Sequence, residues 1–412
     1  MHIRFCAAAS SALLAAVIAP SALAGVFDIT ATVNNNTRSQ SYDTVDSALN
    51  TATDQGLRAL ASNYTGVEAA TLDLDFRGVD VLLAYPQANS TLLTLSIPSI
   101  NVNQQFQGTT RNDSQSALRD YIKKNADLLS RLQKQLVKAS PVDPVAGNPN
   151  SMMSRGAMQD FTNGLVSPGE VADPNATQAP SNVFGFMPSY MKMVNHSLTN
   201  PRDEDSSSVS LPLSYTHKFA TPGREFSIYM PLAESKVEGA TAYDFGLTAS
   251  YRTPMTPRWY LAFAGGVRAA GSKDLGSGVA MANATVTSSF IIPGDQFSYT
   301  IGNMIGQYSA LKVKINDTAY DPGIHNTIFR NGVLIEQHTA WQVLGQAATV
   351  EYTIIDTRFT GTDLFNKHQD EFGITIGSKR ANNARSSDFR GGLAYTKAPN
   401  SKGWAFNFGY WF

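Results

Sequence analysis

Residues 402–412 end the sequence with the run KGWAFNFGYWF. Aromatic side chains occupy every second position of this run, and mostly small or polar residues lie between them. Successive side chains of a β-strand point to opposite faces, so these rings would all project from one face. A soluble protein would have to bury that whole face, whereas a membrane barrel turns it towards lipid. The aromatic positions are Trp404, Phe406, Phe408, Tyr410 and Phe412.

The same period of two recurs through the second half of the chain, for example over residues 226–232, 243–251 and 259–267. Segments of about ten alternating residues separated by turn residues are typical of a transmembrane β-barrel. The pattern predicts about twelve strands, and ten would also fit. The predicted segments lie near 207–217, 224–234, 240–252, 258–270, 277–290, 295–303, 306–316, 326–337, 345–358, 370–379, 386–397 and 402–412.

Composition excludes several classes of protein. The chain has 412 residues, 42% of them hydrophobic and 16% charged, with a formal net charge of -1. These values argue against wholesale disorder and against a nucleic-acid-binding surface over the whole chain. The single cysteine, Cys6, excludes a disulfide framework and a multi-cysteine zinc site. The sequence has no P-loop, G-x-S-x-G or H-E-x-x-H motif, so we expect no cofactor, no metal and no enzyme activity.

Residues 1–24 have the features of a secretory signal peptide. Arg4 precedes an apolar stretch, and the small-x-small sequence Ala22-Leu23-Ala24 precedes Gly25. This predicts cleavage after Ala24. The later chain has no apolar stretch long enough for a transmembrane helix, so any membrane crossing must use strands.

The rest of the chain divides into three predicted regions. Residues 25–140 mix strands and helices and predict a small α+β domain, whose second long helix could be capped by Asp113 or Ser114. Residues 141–205 are rich in Pro, Asn and Met, which favours a linker, or a plug if a short helix near 155–165 enters the barrel. Residues 206–412 form the predicted barrel. The fold class is therefore mainly β, with an N-terminal α+β domain.

The aromatic final strand ending in Phe resembles the β-signal of Gram-negative outer-membrane β-barrel proteins. This resemblance implies a bacterial outer-membrane location, contact with outer-membrane lipid and recognition by the barrel-assembly machinery. The size of the barrel region is also similar to that of autotransporter translocators, although residues 25–140 lack a long repetitive passenger. Two alternatives explain less of the pattern: a soluble antiparallel β-sandwich and a secreted eukaryotic glycoprotein.

Several cations fall within or at the ends of predicted strands. A charge on the lipid face near the bilayer midplane costs about 2–4 kcal/mol, so these side chains are expected in the lumen or at the rims. There they would either line a conduit or fill a closed barrel with salt bridges. The residues are Arg268, Lys312, Lys314, Arg358 and Arg390.

These observations favour a porin-like channel or translocator that lets a solute or a polypeptide pass passively and is gated or plugged by its N-terminal region. The alternative is a barrel that anchors a structural or adhesive surface protein. A membrane-embedded lipid hydrolase ranks last; its test pair would be His217 with Ser214 or Ser227. The sequence leaves open the side of the membrane on which residues 25–140 lie.

Overall fold

The computed structural model describes residues 25–168, 177–199, 202–315, 318–343, 345–378 and 388–411. The predicted signal peptide at 1–24 lies outside the described residues. Residues 25–140 form an α+β region, in which helices pack against a six-stranded antiparallel sheet of order β2-β1-β3-β4-β5-β6. The elements are β1 (Phe27–Val33), β2 (Asn36–Tyr42), α1 (Val45–Thr51), α2 (Asp54–Leu60), β3 (Ala70–Phe76), β4 (Asp80–Tyr85), β5 (Leu92–Ile97), β6 (Val102–Gln107), α3 (Arg111–Lys124) and α4 (Ala126–Ala139).

Strand β1 has one buried face, because every second side chain from Phe27 to Val33 is buried. The predicted second long helix is in fact two helices, α3 and α4, which meet at Asn125. The N-cap of α3 is Thr110 rather than Asp113 or Ser114. Its hydroxyl accepts from the Asp113 backbone N–H, and the Asp113 carboxylate accepts from the Thr110 backbone N–H. This reciprocal capping box satisfies two N–H groups that the helix start would otherwise leave unpaired.

Helix α5 (Met152–Gly164) and a large antiparallel sheet follow the α+β region. Two short strands, residues 313–315 and 318–320, pair with each other in a separate two-stranded sheet. They lie along the chain between two strands of the large sheet. The strands are β7 (Ser181–Phe186), β8 (Ser189–His196), β9 (Asp203–Ser210), β10 (Leu213–Lys218), β11 (Glu225–Met230), β12 (Leu232–Val237), β13 (Ala240–Thr256), β14 (Trp259–Ser272), β15 (Ser277–Ile292), β16 (Phe297–Ala310), β17 (Val313–Ile315), β18 (Thr318–Tyr320), β19 (His325–Val343), β20 (Gln346–Gly361), β21 (His368–Ser378), β22 (Asp388–Ala398) and β23 (Ser401–Trp411).

The large sheet closes on itself, because the last strand pairs with the first. Residues of β23 from Ser401 to Asn407 pair with β8, and the end of β23 pairs with β7. Three barrel strands are each built from two segments, namely β7 with β8, β9 with β10, and β11 with β12. The barrel therefore has 12 strands. The predicted fold class, a barrel of about twelve strands with an N-terminal α+β region, is confirmed.

Proline interrupts each of the three divided strands. Pro188, Pro212 and Pro231 lack the backbone N–H that would complete the ladder, but their carbonyl groups still accept hydrogen bonds. The backbone N–H of Met187 donates to Pro212 at 3.1 Å, and that of Gly246 donates to Pro231 at 3.1 Å. The sheet therefore continues through each proline with one backbone hydrogen bond fewer.

The strands differ in position from the prediction at two places. The barrel begins at Ser181, inside the range 141–205 that the sequence assigned to a linker or plug. The segments predicted separately at 295–303 and 306–316 are largely one strand, β16. The predicted and observed totals are both twelve, because the prediction omitted the first strand and counted β16 as two strands. The first strand gives a weak pattern because its outward side chains near one barrel end, such as Lys192, are charged rather than apolar.

The two faces of the barrel wall differ in polarity. On β13, Tyr243, Phe245 and Leu247 point outward and are 53–61% exposed, whereas Asp244 and Thr248 point inward and are buried. Similar exposed apolar side chains follow the outer face of the neighbouring strands. Within the described ranges, no helix is both long and apolar enough to cross a membrane.

The two open ends of the barrel carry different parts of the chain. The terminal mouth, as we call it, holds the start of β7 and the end of β23. The cap mouth is the opposite end, formed by the connections β8–β9, β12–β13, β14–β15, β16–β19, β20–β21 and β22–β23. The α+β region lies on the cap mouth, where Val237, Ala240 and Leu275 of the barrel share its hydrophobic core.

Candidate functional site in the barrel lumen

Helix α5 lies inside the barrel and runs from the cap mouth towards the terminal mouth. Arg155, near its start, contacts Asp244 near the cap-mouth end of β13. The carbonyl of Leu165, directly after the helix, accepts from Arg252 near the other end of β13, at 2.9 Å. The chain thus passes through the lumen once before it forms the first barrel strand.

Asp160 of α5 is the centre of a buried cluster. Its Oδ1 accepts from the Tyr229 hydroxyl at 2.6 Å and from Arg268 Nη2 at 3.0 Å. Its Oδ2 accepts from Asn283 Nδ2 at 2.7 Å and from the Tyr308 hydroxyl. The four donors come from four different barrel strands, and the Asp160 side chain is 0% exposed. A buried charge is tolerated only where it is paired and hydrogen-bonded, and this carboxylate meets both conditions.

Arg155 makes the complementary ion pair one and a half turns earlier on the helix. It pairs with Asp244 of the wall, and its Nη1 also donates to Asn150 Oδ1 at 2.8 Å and to the Ser235 hydroxyl at 3.1 Å. The helix therefore contributes a cation here and an anion at Asp160, while the wall contributes the opposite charges. Two pairs of opposite polarity fix both the depth and the rotation of α5, since sliding or turning the helix breaks both.

The barrel wall also satisfies the end of the helix. The last carbonyls of an α-helix have no partner within the helix, and the helix dipole makes this end partially negative. Here, wall side chains supply hydroxyl donors and one cation. Ser289 donates to the Gly164 carbonyl at 3.4 Å, Arg252 to that of Leu165 at 2.9 Å, and Thr300 to that of Val166 at 2.9 Å.

Two glycines allow α5 to approach the wall closely. A Cβ atom on Gly156 would lie 3.0 Å from Arg268 Nε, and one on Gly164 would lie 2.7 Å from the Cβ of Thr287. Real Cβ atoms essentially never approach other heavy atoms more closely than 3.0 Å. Glycine at these positions therefore permits the close helix–wall contact on which the Asp160 cluster depends.

A second set of buried ion pairs lies on the wall. Arg330 donates to both carboxylate oxygens of Glu371, at 2.6 and 2.7 Å. Arg390 pairs with Glu351 at 2.6 Å, and the same carboxylate lies 3.3 Å from the Ser167 hydroxyl of the segment that leaves α5. These side chains are at most 8% exposed. The lumen is therefore lined by charges that are paired with one another.

A cavity of about 260 Å³ remains between α5 and the wall. Its lining mixes apolar and polar side chains, including Met158 and Thr162 of the helix and Met191, Ser208 and Thr375 of the wall. The helix packs against β13, β14, β15, β16 and β19, so this space lies on the side of the lumen that α5 leaves unfilled.

The α+β region is joined to the cap mouth through buried polar contacts. Arg77 and Asp143 form an ion pair at 3.2 Å with both side chains fully buried. Asp143 also accepts from the Ser277 hydroxyl of the barrel at 3.1 Å. Across the same interface, the Thr199 hydroxyl donates to Asp75 at 3.2 Å, and burial raises the pKa of that carboxyl group. Together with the shared core, these contacts make residues 25–140 a cap over the mouth.

The structure places the predicted charged residues in three environments. Arg268 and Arg390 point into the lumen and are buried in ion pairs. Arg358 points outward near the cap mouth and pairs with Asp356 at 2.8 Å. Lys312 and Lys314 are exposed in the connection between β16 and β19. Their functional roles remain predictions.

The aromatic side chains of the last strand lie on the outer face. Trp404, Phe406 and Phe408 are 46–57% exposed there, and Tyr410 contacts Phe186 across the barrel closure. Phe412 lies outside the described residues. The role of this strand as an assembly signal remains a prediction.

The residues of the lipid-hydrolase hypothesis are not brought together. His217 and Ser214 are three residues apart in β10, so they point to opposite faces of the sheet. Ser227 pairs its hydroxyl with Thr216, on the face away from His217. His217 instead lies 2.8 Å from the Asn182 side chain.

Sequence reasoning missed Asp160 and Arg155, the two residues that bind α5 to the wall. Each is an isolated charge in a short segment, and its partners on the barrel wall are 69 to 148 residues away in sequence. The only available signal was the prediction that a helix near 155–165 could enter the barrel.

A closed barrel with an apolar outer belt and a polar, charged lumen is stable only with hydrocarbon around the belt. Its antiparallel, even-numbered architecture is that of bacterial outer-membrane proteins. This chain therefore has the fold of a transmembrane β-barrel.

Comparison with solved structures finds barrels of the same kind. The β domain of the Bordetella autotransporter BrkA is 10% identical, with a TM-score of 0.43; the alignment covers 57% of this chain and 99% of that one. The translocator domain of the autotransporter NalP from Neisseria meningitidis is 10% identical, with a TM-score of 0.41 and coverages of 63% and 95%. An outer-membrane channel from Pseudomonas putida is 11% identical, with a TM-score of 0.37 and coverages of 59% and 99%. The sequence matches no protein-family model and no curated protein.

Proposed function

We propose that this outer-membrane barrel is a polypeptide conduit whose cargo is its own N-terminal region, and that α5 plugs it after that region has passed. The observation that carries this proposal is the path of the chain. Residues 25–140 lie on the cap mouth, α5 descends through the lumen, and the first barrel strand then starts at the terminal mouth. A barrel that assembled beside a separately folded domain would not need its own chain in the lumen.

The topology also supports a side for each mouth. Even-numbered outer-membrane barrels have short periplasmic turns and longer external loops. The first strand of this barrel begins at the terminal mouth and the last strand ends there, whereas the longest described connection, between β16 and β19, lies at the cap mouth. The terminal mouth then faces the periplasm and residues 25–140 face the exterior. A passive mechanism suffices, since no nucleotide-binding motif is present in the sequence.

Cysteine labelling in intact cells tests this orientation, because Cys6 is the only cysteine of the sequence and lies in the predicted signal peptide. Gln55→Cys places a thiol on the exposed surface of the α+β region, and Arg258→Cys places one in the turn between β13 and β14 at the terminal mouth. We expect a membrane-impermeant maleimide to label the first variant in intact cells and the second only after the outer membrane is permeabilised. The reverse pattern would refute the orientation and with it the export of residues 25–140.

A solute channel is the second candidate function, and the lumen cavity of about 260 Å³ favours it. In this reading the cap and α5 gate the passage of solute. Planar-bilayer conductance separates the solute channel from the polypeptide conduit. A solute channel should show frequent open states in the wild type, whereas a conduit plugged by α5 should conduct only when α5 is displaced. A third hypothesis is a barrel that only anchors a surface domain. It predicts the same cysteine labelling as the conduit, but no conductance even after residues 152–164 are deleted.

A further inference from the structure

Two lysines without an acidic partner lie side by side on the outside of the barrel. Lys397 of β22 and Lys402 of β23 are directly opposite each other in the antiparallel register, and both are exposed. Among the described residues neither forms an ion pair, although Asp370 is opposite Lys397 on the next strand. Like charges directly opposite each other destabilise a strand pair, so an anion between them would relieve a real repulsion.

Three outward cations on barrel strands near the cap mouth are already paired with an acidic side chain. Lys192 pairs with Asp205 at 3.0 Å, Lys236 with Glu234 at 3.6 Å, and Arg358 with Asp356 at 2.8 Å. The Lys397–Lys402 pair therefore differs from these three cations, because neither of its ammonium groups forms an ion pair with a described residue.

An aromatic pair lies next to the lysines on the side of the membrane belt. Tyr395 and Trp404 are also directly opposite each other and point outward, with their ring centroids 4.7 Å apart. Aromatic residues on the outside of a membrane barrel mark the boundary between hydrocarbon and headgroups. The lysines are two residues further along their strands, about 7 Å towards the cap mouth. This position puts their ammonium groups at the level of the lipid headgroups.

A gap in the outer wall continues from the aromatic pair into the belt. Leu393 pairs with Phe406, and the next outward pair is Gly391 with Phe408. Gly391 has no side chain, and a Cβ atom built there would meet nothing closer than 3.9 Å. Large apolar side chains on both neighbouring strands flank this position, including Ile376. The result is a shallow apolar groove in line with the lysine pair.

We infer that this surface is a binding site for a phosphorylated lipid. The Lys397 and Lys402 ammonium groups would bind the headgroup phosphate, and an acyl chain would lie in the groove at Gly391. Lysine binds phosphate as a point charge, and two lysines can converge on one phosphate group. A free phosphate ion would satisfy the lysines but leave the groove unused, so the combination points to a lipid.

Native mass spectrometry of the full-length protein in detergent can test the site, with diphosphoryl lipid A as the probe. We expect Lys397→Gln/Lys402→Gln to lower its affinity by about tenfold, because two of the charges that contact the phosphate are lost. The matched control is Lys236→Gln/Lys273→Gln, which removes two lysines that are ion-paired at the same barrel end. The control should bind as the wild type does. Equal binding by the site variant and the wild type would overturn the proposal.

Two further measurements separate the parts of the site. Gly391→Leu fills the groove without touching the lysines, and it should also weaken lipid binding; unchanged binding would refute the acyl-chain groove. Lipid A from which the phosphates have been removed should bind the wild type no more tightly than diphosphoryl lipid A binds the lysine variant. Full displacement of the lipid by millimolar inorganic phosphate would show an ion site instead of a lipid site. A heat-dependent shift in gel mobility confirms that each variant has folded.

Discussion

Asp160 on α5 and Arg268 on the barrel wall form an ion pair, with 3.0 Å between Oδ1 and Nη2, and neither side chain is more than 4% exposed. This contact joins the segment that fills the lumen to the wall that encloses it. Without the helix Arg268 would lose its carboxylate partner, and at another depth of the helix Asp160 would lose the four wall donors that bind it. The pair therefore holds α5 at one position in the lumen.

Asp160→Ala should unplug the barrel. Removing one partner of a buried ion pair costs about 3–5 kcal/mol, because the other charge is left buried without compensation. We expect the variant to show frequent open states in planar bilayers under conditions in which the wild type stays closed. Asp46→Asn is the control, since Asp46 pairs with Lys273 at 3.5 Å on the exposed surface. A variant as closed as the wild type would mean that the Asp160 cluster does not fix the plug.

Gly164→Ala should loosen α5 without changing any charge. The added Cβ would lie 2.7 Å from Thr287, and overpacking of this kind costs about 1–3 kcal/mol. Hydrogen exchange of the α5 amides should become about 10–100 times faster as a result. At Gly271 the nearest heavy atom to an added Cβ is 3.7 Å away, so Gly271→Ala should exchange as the wild type does. Equal exchange in all three proteins would contradict the close helix–wall contact.

Glu68 should stabilise the α+β region in a pH-dependent manner. A hydrogen bond from the Thr65 hydroxyl at 2.7 Å, with further bonds from backbone N–H groups, lowers the pKa of Glu68 from 4.5 to about 2. The carboxylate form is the bonded one, so its contribution is fully present above pH 4.5 and is lost as the pH falls towards 2. Solvent screening at this surface site limits the contribution to about 1 kcal/mol.

Limited proteolysis of the α+β region in the full-length protein can measure this contribution. The ratio of the cleavage rates of Glu68→Gln and the wild type, taken at each pH, cancels the pH dependence of the protease. We expect the variant to be cleaved faster at pH 7 and the ratio to approach one near pH 2. A ratio that stays constant over this range would show that ionisation of Glu68 is not involved.

Deletion of Phe412 should sharply reduce assembly into the outer membrane while export across the inner membrane continues. The aromatic pattern of the last strand would then lack its terminal residue, which the assembly machinery is predicted to recognise. Heat-modifiable protein in the outer-membrane fraction gives the measurement, and Phe412→Tyr, which keeps an aromatic ring at this position, gives the control. Normal assembly of the deletion variant would count heavily against the assembly signal.

The barrel could be predicted from local pattern because the bilayer imposes a simple rule on each strand. Outward side chains must be apolar, as at Phe245 and Leu247, so a period of two is visible in the sequence. The rule fails where the outward face leaves the hydrocarbon, and the first strand, with Lys192, was therefore missed. Pro188 also interrupts this strand between β7 and β8, which leaves two short runs of alternation instead of one long run.

The sequence by itself determined the membrane barrel, its approximate strand number and the α+β character of residues 25–140, since each follows from residue spacing within one segment. Only the tertiary structure decided how α5 is held inside the barrel. The partners of Asp160 come from four strands that become neighbours of the helix only when the barrel closes around it. The sequence position of a charge does not show which distant residue will pair with it, so the contacts that hold α5 in the lumen depend on the path of the whole chain.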